Sequence, residues 1–301
     1  MLQRWSVALS AAGLDPPDVT WVVDRALAED VNEHGDVTSI ATIGPQAQGV
    51  MDLVARRAGV LAGVPVAAVV FATVNAELVI EVHKADGASV APGDVIMTVS
   101  GRMQDLLRAE RTALNLLGHL SGIATLTRAW VDAIAGTDAR IRDTRKTTPG
   151  MRTLEKYAVR CGGGTNHRMS LSDAALIKDN HVVAAGGVVP AFTRVRQTFP
   201  DLPIEVEVDR LDQLAQILQA GADLVLLDNF TIPELRDAVA MNAGKANLEA
   251  SGGLTLEHAR QVAETGVDYL AVGALTHSAP VLDIGADVRT DIGADVIDEE
   301  G

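Results

Sequence analysis

The chain changes its hydrophobic rhythm along its length. Residues 17 to 30 set Val19, Val22, Val23, Ala26 and Leu27 at helical spacing, which predicts an amphipathic helix. It runs into LAEDVNEHGDVTS, where Glu29, Asp30, Asn32, Glu33, His34 and Asp36 crowd together. These acids lack a metal-ligand spacing, so the stretch reads as a helix end and a polar turn. From Ala47 to Val99, short alternating or apolar runs (GVMDLVAR, LVIEVHKA, DVIMTVSG) predict a small sheet with one helix at Val64 to Val74. Within it, DGASVAPGDVIMTVSG looks like the hairpin of a biotinyl or lipoyl domain. No lysine stands in that hairpin to be acylated, so the likeness is read as shared geometry without a carrier function. A further helix is predicted from Met103 to Leu120, with Leu106, Leu107, Leu114, Leu117 and Leu120 as its stripe and Arg108 and Arg111 one turn apart.

The pattern then becomes repeated strand and helix. Candidate strands are Arg140 to Asp143, Ala174 to Lys178, Ile204 to Val208, Leu224 to Leu227, Asn247 to Ala250 and Tyr269 to Val272, with helical segments such as Leu211 to Ala220 and Leu256 to Thr265 between them. Strands buried on both faces and joined by helices run parallel, and their spacing suggests a closed or nearly closed barrel. Six strands fall short of the usual eight.

At 301 residues the chain holds two domains, or one large α/β domain with an appendage. Its 48% hydrophobic but only 3% aromatic content means an aliphatic core. A net charge of −15 argues against nucleic acid or anionic membrane as partner, and no charge-free apolar run reaches bilayer length. The start, MLQRWSVALSAAGLD, faintly resembles a signal peptide, but Ser6 and Ser10 interrupt its apolar run. One cysteine, Cys161, excludes an intramolecular disulfide, fits a reducing cytoplasm and reads as a packing residue beside a glycine turn.

Charge collects in one place. The forty residues from Arg142 to His181 hold eight Lys/Arg against four acids, a local excess of four positive charges in an acidic chain. A solvated helix face explains Lys156 and Arg160, but not Arg145-Lys146 or His167-Arg168, which point to an anionic small molecule. The C-terminal ends of the candidate strands supply Arg145 and Lys146, then Lys178 with Asp179, Asn180 and His181, then Glu207 and Asp209, then Asp228 and Asn229, then Glu249, Ser251, Gly252 and Gly253, then Gly273. Active sites of parallel barrels are built at that rim. Cations there suit carboxylates or phosphates, Glu207 and Asp228 suit a divalent metal held partly by substrate phosphates, and the glycine turns offer N–H groups to a phosphate. Singly, Asp228 reads equally as a helix cap and the glycines as turn chemistry. Their sorting by strand is what carries the reading.

DTRKTTPGMR, GGGTNHR, LIKDNH, EVEVD, LLDNF, EASGGL and VGALTHS, with LAEDVNEHGDVTS and AERTALNLLGHLSGIAT upstream, resemble the quinolinate phosphoribosyltransferase family of type II phosphoribosyltransferases. The likeness spans roughly Leu27 to Leu282. It implies an N-terminal α/β sandwich over 1–117 joined by about 276–290, and a C-terminal incomplete α/β barrel of about six parallel strands over 118–275. It also implies a homodimer in which each sandwich caps the partner's barrel. The implied reaction joins quinolinate to phosphoribosyl pyrophosphate (PRPP) with Mg2+, giving nicotinate mononucleotide, pyrophosphate and CO2. By motif, Arg145, His167, Arg168 and Lys178 would hold quinolinate, with Arg111 from the other subunit. Lys146 would meet the donor's phosphates, Glu207 and Asp228 its Mg2+ and ribose hydroxyls, and Ser251, Gly252, Gly253 and Gly273 its 5'-phosphate.

The family pattern ends near Ala286, where DIGADV at Asp283 repeats at Asp291 and 291–301 reads as an acidic, solvated tail. Three other readings stand beside this one: a relative that uses nicotinate directly, an aldolase with Lys178 as Schiff-base amine, and a non-enzymatic module built on the biotinyl-like hairpin.

Overall fold

The computed structural model describes residues 2–31 and 33–289; Asn32, the second DIGADV copy and the stretch 291–301 lie outside the described residues. The chain divides into two compact units, one of Met1–Thr125, Pro149–Gly162 and Ala279–Gly301, the other of Leu126–Thr148 and Gly163–Ser278.

The first unit opens with helices α1 (Leu2–Ala11), α2 (Pro16–Asp30) and α3 (Val37–Thr42), then β1 (Gln48–Ala55), β2 (Gly59–Val60), α4 (Val64–Val74), β3 (Val79–Val82), β4 (Ser89–Val90), β5 (Val95–Arg102) and the long helix α5 (Met103–Ala133), whose residues from Leu126 on belong to the second unit. After β6 (Arg140–Arg142) in the second unit, α6 (Arg152–Cys161) belongs again to the first. The second unit continues with β7 (Ala175–Ile177), α7 (Asp179–Ala185), α8 (Val188–Thr198), β8 (Ile204–Val208), α9 (Leu211–Gln219), β9 (Leu224–Asp228), α10 (Ile232–Asn242), β10 (Asn247–Ser251), α11 (Ala259–Ala263), β11 (Tyr269–Ala271) and α12 (Ala274–His277). β12 (Ile284–Arg289) completes the first unit.

In the first unit, β12, β1, β5 and β3 form an antiparallel sheet in that order. β1 is central and alternates as an antiparallel strand should, with Met51 and Leu53 buried and Gln48 exposed. α4 is apolar on nearly every side and is therefore buried, with α1 and α2 packed against it. Its start is held by Asp86, whose carboxylate accepts the Val64 N–H at 2.9 Å. α5 continues past the predicted end at Leu120, because Ile123, Ala124, Thr127 and Trp130 extend its buried stripe. The small residues Gly118, Ser121 and Gly122 are close-approach points rather than a break. A Cβ on Gly122 would sit 2.1 Å from the Pro280 carbonyl oxygen, and Ser121 Oγ bonds both the amide and the carbonyl of Ala62.

Two expectations for this unit are corrected. The two strands around the Gly93 turn do not form a biotinyl-type hairpin: β4 pairs with β2, whereas β5 pairs with β1 and β3. The first DIGADV copy contributes to β12, with Ile284 opposite Ala55 and Arg289 opposite Val50. Lys156 is not on a solvated face, since it is fully buried on α6; Arg160 is exposed, with Nη2 donating to the Gly13 carbonyl. The acid-rich loop is the predicted helix end and polar turn. Asp36 caps α3 by accepting the Ser39 N–H at 3.1 Å.

The second unit is a six-stranded parallel sheet, ordered β6, β11, β10, β9, β8, β7. All six predicted strands are present within one residue at either end. Among the described residues no pairing joins β6 to β7, so the barrel is open rather than closed. The predicted helix at Leu256 to Thr265 is shorter, Ala259–Ala263, after a turn at 256–258. No helix among the described residues is long and apolar enough to cross a membrane.

Candidate active site

The parallel register brings the C-terminal ends of β6 to β11 to one edge, and the period of two decides which side chains face the same way. Glu205 and Glu207 share a face of β8, Leu226 and Asp228 of β9, Glu249 and Ser251 of β10. Together they line a cavity of ≈ 540 Å³ with Arg145, Lys146, His167, Arg168 and Lys178, although Glu205 sits behind the lining rather than on it.

The cations are placed individually. Asp143, buried at the end of β6, accepts the His167 N–H at 2.7 Å and the Asn166 side-chain amide at 2.6 Å, fastening the loop after the triple glycine to the strand. Arg168 donates Nη1 to the Ala174 carbonyl at 2.9 Å. Burial and the neighbouring Arg145 guanidinium push Arg168 below its ordinary pKa. Arg145 Nε and Arg168 Nε are buried without a hydrogen-bond partner. Donors left so in a cavity are what an anionic ligand would satisfy. Lys146 is held at its carbonyl by Thr276 Oγ1, 2.8 Å away, and its side chain lies against Gly273. Lys178, half exposed, sets its Nζ 3.3 Å from Glu207 Oε2.

Two carboxylates and a glycine turn complete the rim. Asp228 Oδ2 accepts the Asn229 amide at 2.9 Å. Asn229 holds a left-handed backbone, φ 59°, with its N–H bonded to the Ser251 carbonyl at 2.9 Å. This packs it against Gly252, itself at φ 89°. The oxygens of Glu207 and Asp228 suit a hard divalent cation that takes its remaining ligands from water and substrate.

Beneath the rim lies a buried network of which the sequence reading named only part. Arg142 Nη1 donates to Glu249 Oε2 at 2.6 Å, lies 3.8 Å from Glu205 Oε1 and stacks on Tyr269. His167 Nε2 is 2.6 Å from Glu205 Oε2. Burial, then repulsion from Glu205, raises the Glu249 pKa to about 7. His167, Glu205 and Glu249 bring ligand atoms within 4.8 Å of one another, close enough for a metal. Arg142 already supplies the cation there, so the cluster reads as an ion-pair network. Glu205 was legible in principle, since IEVEV puts two acids on one face of a buried strand.

Of the twelve residues expected to act, nine line this cavity: Arg145, Lys146, His167, Arg168, Lys178, Glu207, Asp228, Ser251 and Gly252. Gly253 follows at φ 59° with open space around it, and Gly273 lies at the start of α12 beside Lys146. Arg111 is on α5 in the first unit, 66% exposed, with Glu110 at 3.7 Å. Half of the basic stretch does not reach the cavity: Arg152, Lys156 and Arg160 leave on α6, and Arg142 is paired with Glu249 below.

Residues 36–121 match the family model described as the quinolinate phosphoribosyl transferase N-terminal domain, and residues 123–287 match its C-terminal domain. A relative from Mycobacterium leprae named nicotinate-nucleotide pyrophosphorylase [carboxylating] is 51% identical over 273 residues, covering 88% of this chain and 95% of the relative. The crystal structure of NadC from Streptococcus pyogenes superposes with a TM-score of 0.89 at 38% identity, covering 92% of this chain and 98% of that one. The nicotinate-nucleotide pyrophosphorylase of Francisella tularensis gives 0.88 at 38%, covering 91% and 96%.

Proposed function

The chain belongs to the quinolinate phosphoribosyl transferase family, and from this premise we infer that it transfers the phosphoribosyl group of PRPP to quinolinate with loss of CO2. The product is nicotinate mononucleotide, in the de novo route to NAD. The observation that carries the reading is the pocket itself, where four cations, two of them with buried unpartnered donors, face two carboxylates and a glycine turn.

Quinolinate carries adjacent carboxylates, and Arg145, Arg168 and Lys178 offer the fork and point-charge donors such a dianion needs. Lys146 is assigned to the donor's phosphates. Ser251 Oγ and the backbone N–H groups of Gly252, Gly253 and Gly273 are assigned to its 5'-phosphate. Glu207 and Asp228 would meet the ribose hydroxyls and would hold Mg2+, which when bound would supply positive charge to the pyrophosphate leaving group. As the pyridine nitrogen bonds to C1', the C1'–O bond to pyrophosphate breaks and positive charge spreads over the ribosyl ring. The fixed carboxylates of Glu207 and Asp228 oppose that charge. The bond from C2 to its carboxylate then breaks, its electron pair remaining on C2 beside the cationic ring nitrogen until a proton replaces CO2. No covalent enzyme intermediate is required. The ion pair of Lys178 with Glu207 supports reading it as a cation rather than as a Schiff-base amine.

We further assign the working form as a homodimer in which Arg111, exposed and absent from the residues lining its own chain's cavity, serves the partner's site. Cys161 as the sole cysteine supports a cytoplasmic setting. The test of the reaction is product formation from PRPP and Mg2+ with quinolinate, and separately with nicotinate. Nicotinate mononucleotide and CO2 from quinolinate are expected. Turnover with nicotinate alone, or with neither, would overturn the substrate assignment.

A further inference from the structure

Both ring nitrogens of His167 have partners inside the protein. The Arg168 backbone N–H donates to Nδ1 at 2.7 Å, so Nδ1 carries no proton. The ring proton therefore sits on Nε2, which is 2.6 Å from Glu205 Oε2, the short spacing of a donor facing a carboxylate. Glu205 is 3% exposed, Glu249 fully buried and His167 7% exposed. Behind them Arg142 holds Glu249 at 2.6 Å and is itself pinned against Tyr269. On the other side of the ring, the Arg168 backbone is fixed by Nδ1, and its side chain, tied at Nη1 to Ala174, leaves a buried Nε without a hydrogen-bond partner.

We propose that His167 is a positioning residue rather than a ligand of the substrate: Glu205 commits its Nε2–H, and the ring in turn fixes the backbone that aims Arg168. The carboxylate-binding element seen by the substrate is then Arg168, with Glu205 two hydrogen bonds behind it through the His167 ring. A residue that touches the cavity has its chemistry directed away from it. This departs from the expectation that His167 itself holds quinolinate. It rests on the proposed reaction only for its kinetic arm.

The experiment uses the full chain labelled with 15N-histidine, the His167 pair being assigned by its loss in His167→Gln. Without substrate, the spectrum is expected to show protonated Nε2 and unprotonated Nδ1, unchanged on adding quinolinate. In Glu205→Leu the pair loses that single-tautomer signature, the KM for quinolinate rises about tenfold or more, and the KM for PRPP stays within about twofold. Glu205→Gln, whose amide oxygen can still accept from Nε2–H, is expected to restore both the signature and the quinolinate KM to within about threefold. An Nδ1–H or doubly protonated ring in the unaltered protein, a tautomer that changes when quinolinate binds, or equal effects of Glu205→Leu on both KM values would overturn the proposal. Should Glu205→Leu not fold, the unaltered protein's spectra with and without quinolinate decide the matter. The tautomer is read without turnover, so failure of the reaction assignment, seen as no product from the unaltered protein, is distinguishable from failure of this one.

Discussion

Gly252→Ala tests how closely the rim is built. Gly252 stands at φ 89°, and a Cβ there would lie 2.1 Å from Asn229 Oδ1, 2.6 Å from its Cγ and 2.9 Å from its backbone nitrogen. The left-handed backbone alone costs an alanine about 1–2 kcal/mol. The clash adds about 1–3 kcal/mol of overpacking, because Asn229 cannot retreat freely. Its N–H is tied to the Ser251 carbonyl and its amide to Asp228. Relief requires moving the Asn229 side chain by about 1 Å, which drags the Asp228 carboxylate from its place; displacement on that scale costs about 100-fold in rate. The expected outcome is a fall of about 5–15 °C in Tm and of about 100-fold in kcat/KM for PRPP, with the KM for quinolinate less affected. Gly253→Ala is the comparison, since at φ 59° with nothing within 4 Å it meets strain without collision. Equal losses in the two variants, measured by calorimetry and steady-state kinetics, would refute the collision argument.

Other consequences are open to direct measurement. Because burial and Glu205 raise Glu249 to about 7 from its unfolded value near 4.5, the folded state favours the protonated form. The stability this contributes is present below about pH 4.5 and is lost as pH rises through 7. The Tm of Glu249→Gln minus that of the parent should therefore increase from pH 5 to pH 8, and a flat difference would contradict it. Tyr157→Phe removes the hydroxyl that donates to Asp86, a carboxylate already pushed up by burial. It should cost about 1–3 kcal/mol, seen as a Tm drop with unchanged KM values; an unaltered Tm would show that Asp86 finds another donor. For the assigned dimer, Arg111→Ala and Lys178→Ala chains, each inactive alone, should recover about a quarter of parental activity when reassociated at equal amounts, since half the dimers are mixed and each holds one intact site. Mixed dimers without activity would put Arg111 in its own chain's site.

The second unit was legible because its strands are short, mostly buried runs that stop at turn residues, so the six segments are bounded by their own chemistry. The first unit was harder for local reasons. Gly118, Ser121 and Gly122 are turn formers by composition, yet they lie inside α5 because only small residues admit the chain at Pro280 and Ala62. The Gly93 turn is the same whether the strands beside it pair together or part, and here they part. β12 carries one aspartate, Asp287, and one arginine, Arg289, in six residues and pairs on one side only, with β1, so no apolar run marks it.

The candidate site shows a different limit. Positive charge along Arg142 to His181 is continuous in sequence, but the fold divides it: α6 returns to the first unit with three of the cations, and Arg142 turns inward to two buried carboxylates. What survives in the cavity are the cations at or just past strand ends and the one beyond the triple glycine. Position on a strand therefore predicted participation better than charge density did. The same holds for His167, whose identity marked the site correctly while its role depends on which nitrogen faces Glu205 and which faces the Arg168 amide. Those are long-range and backbone facts that residue type does not carry.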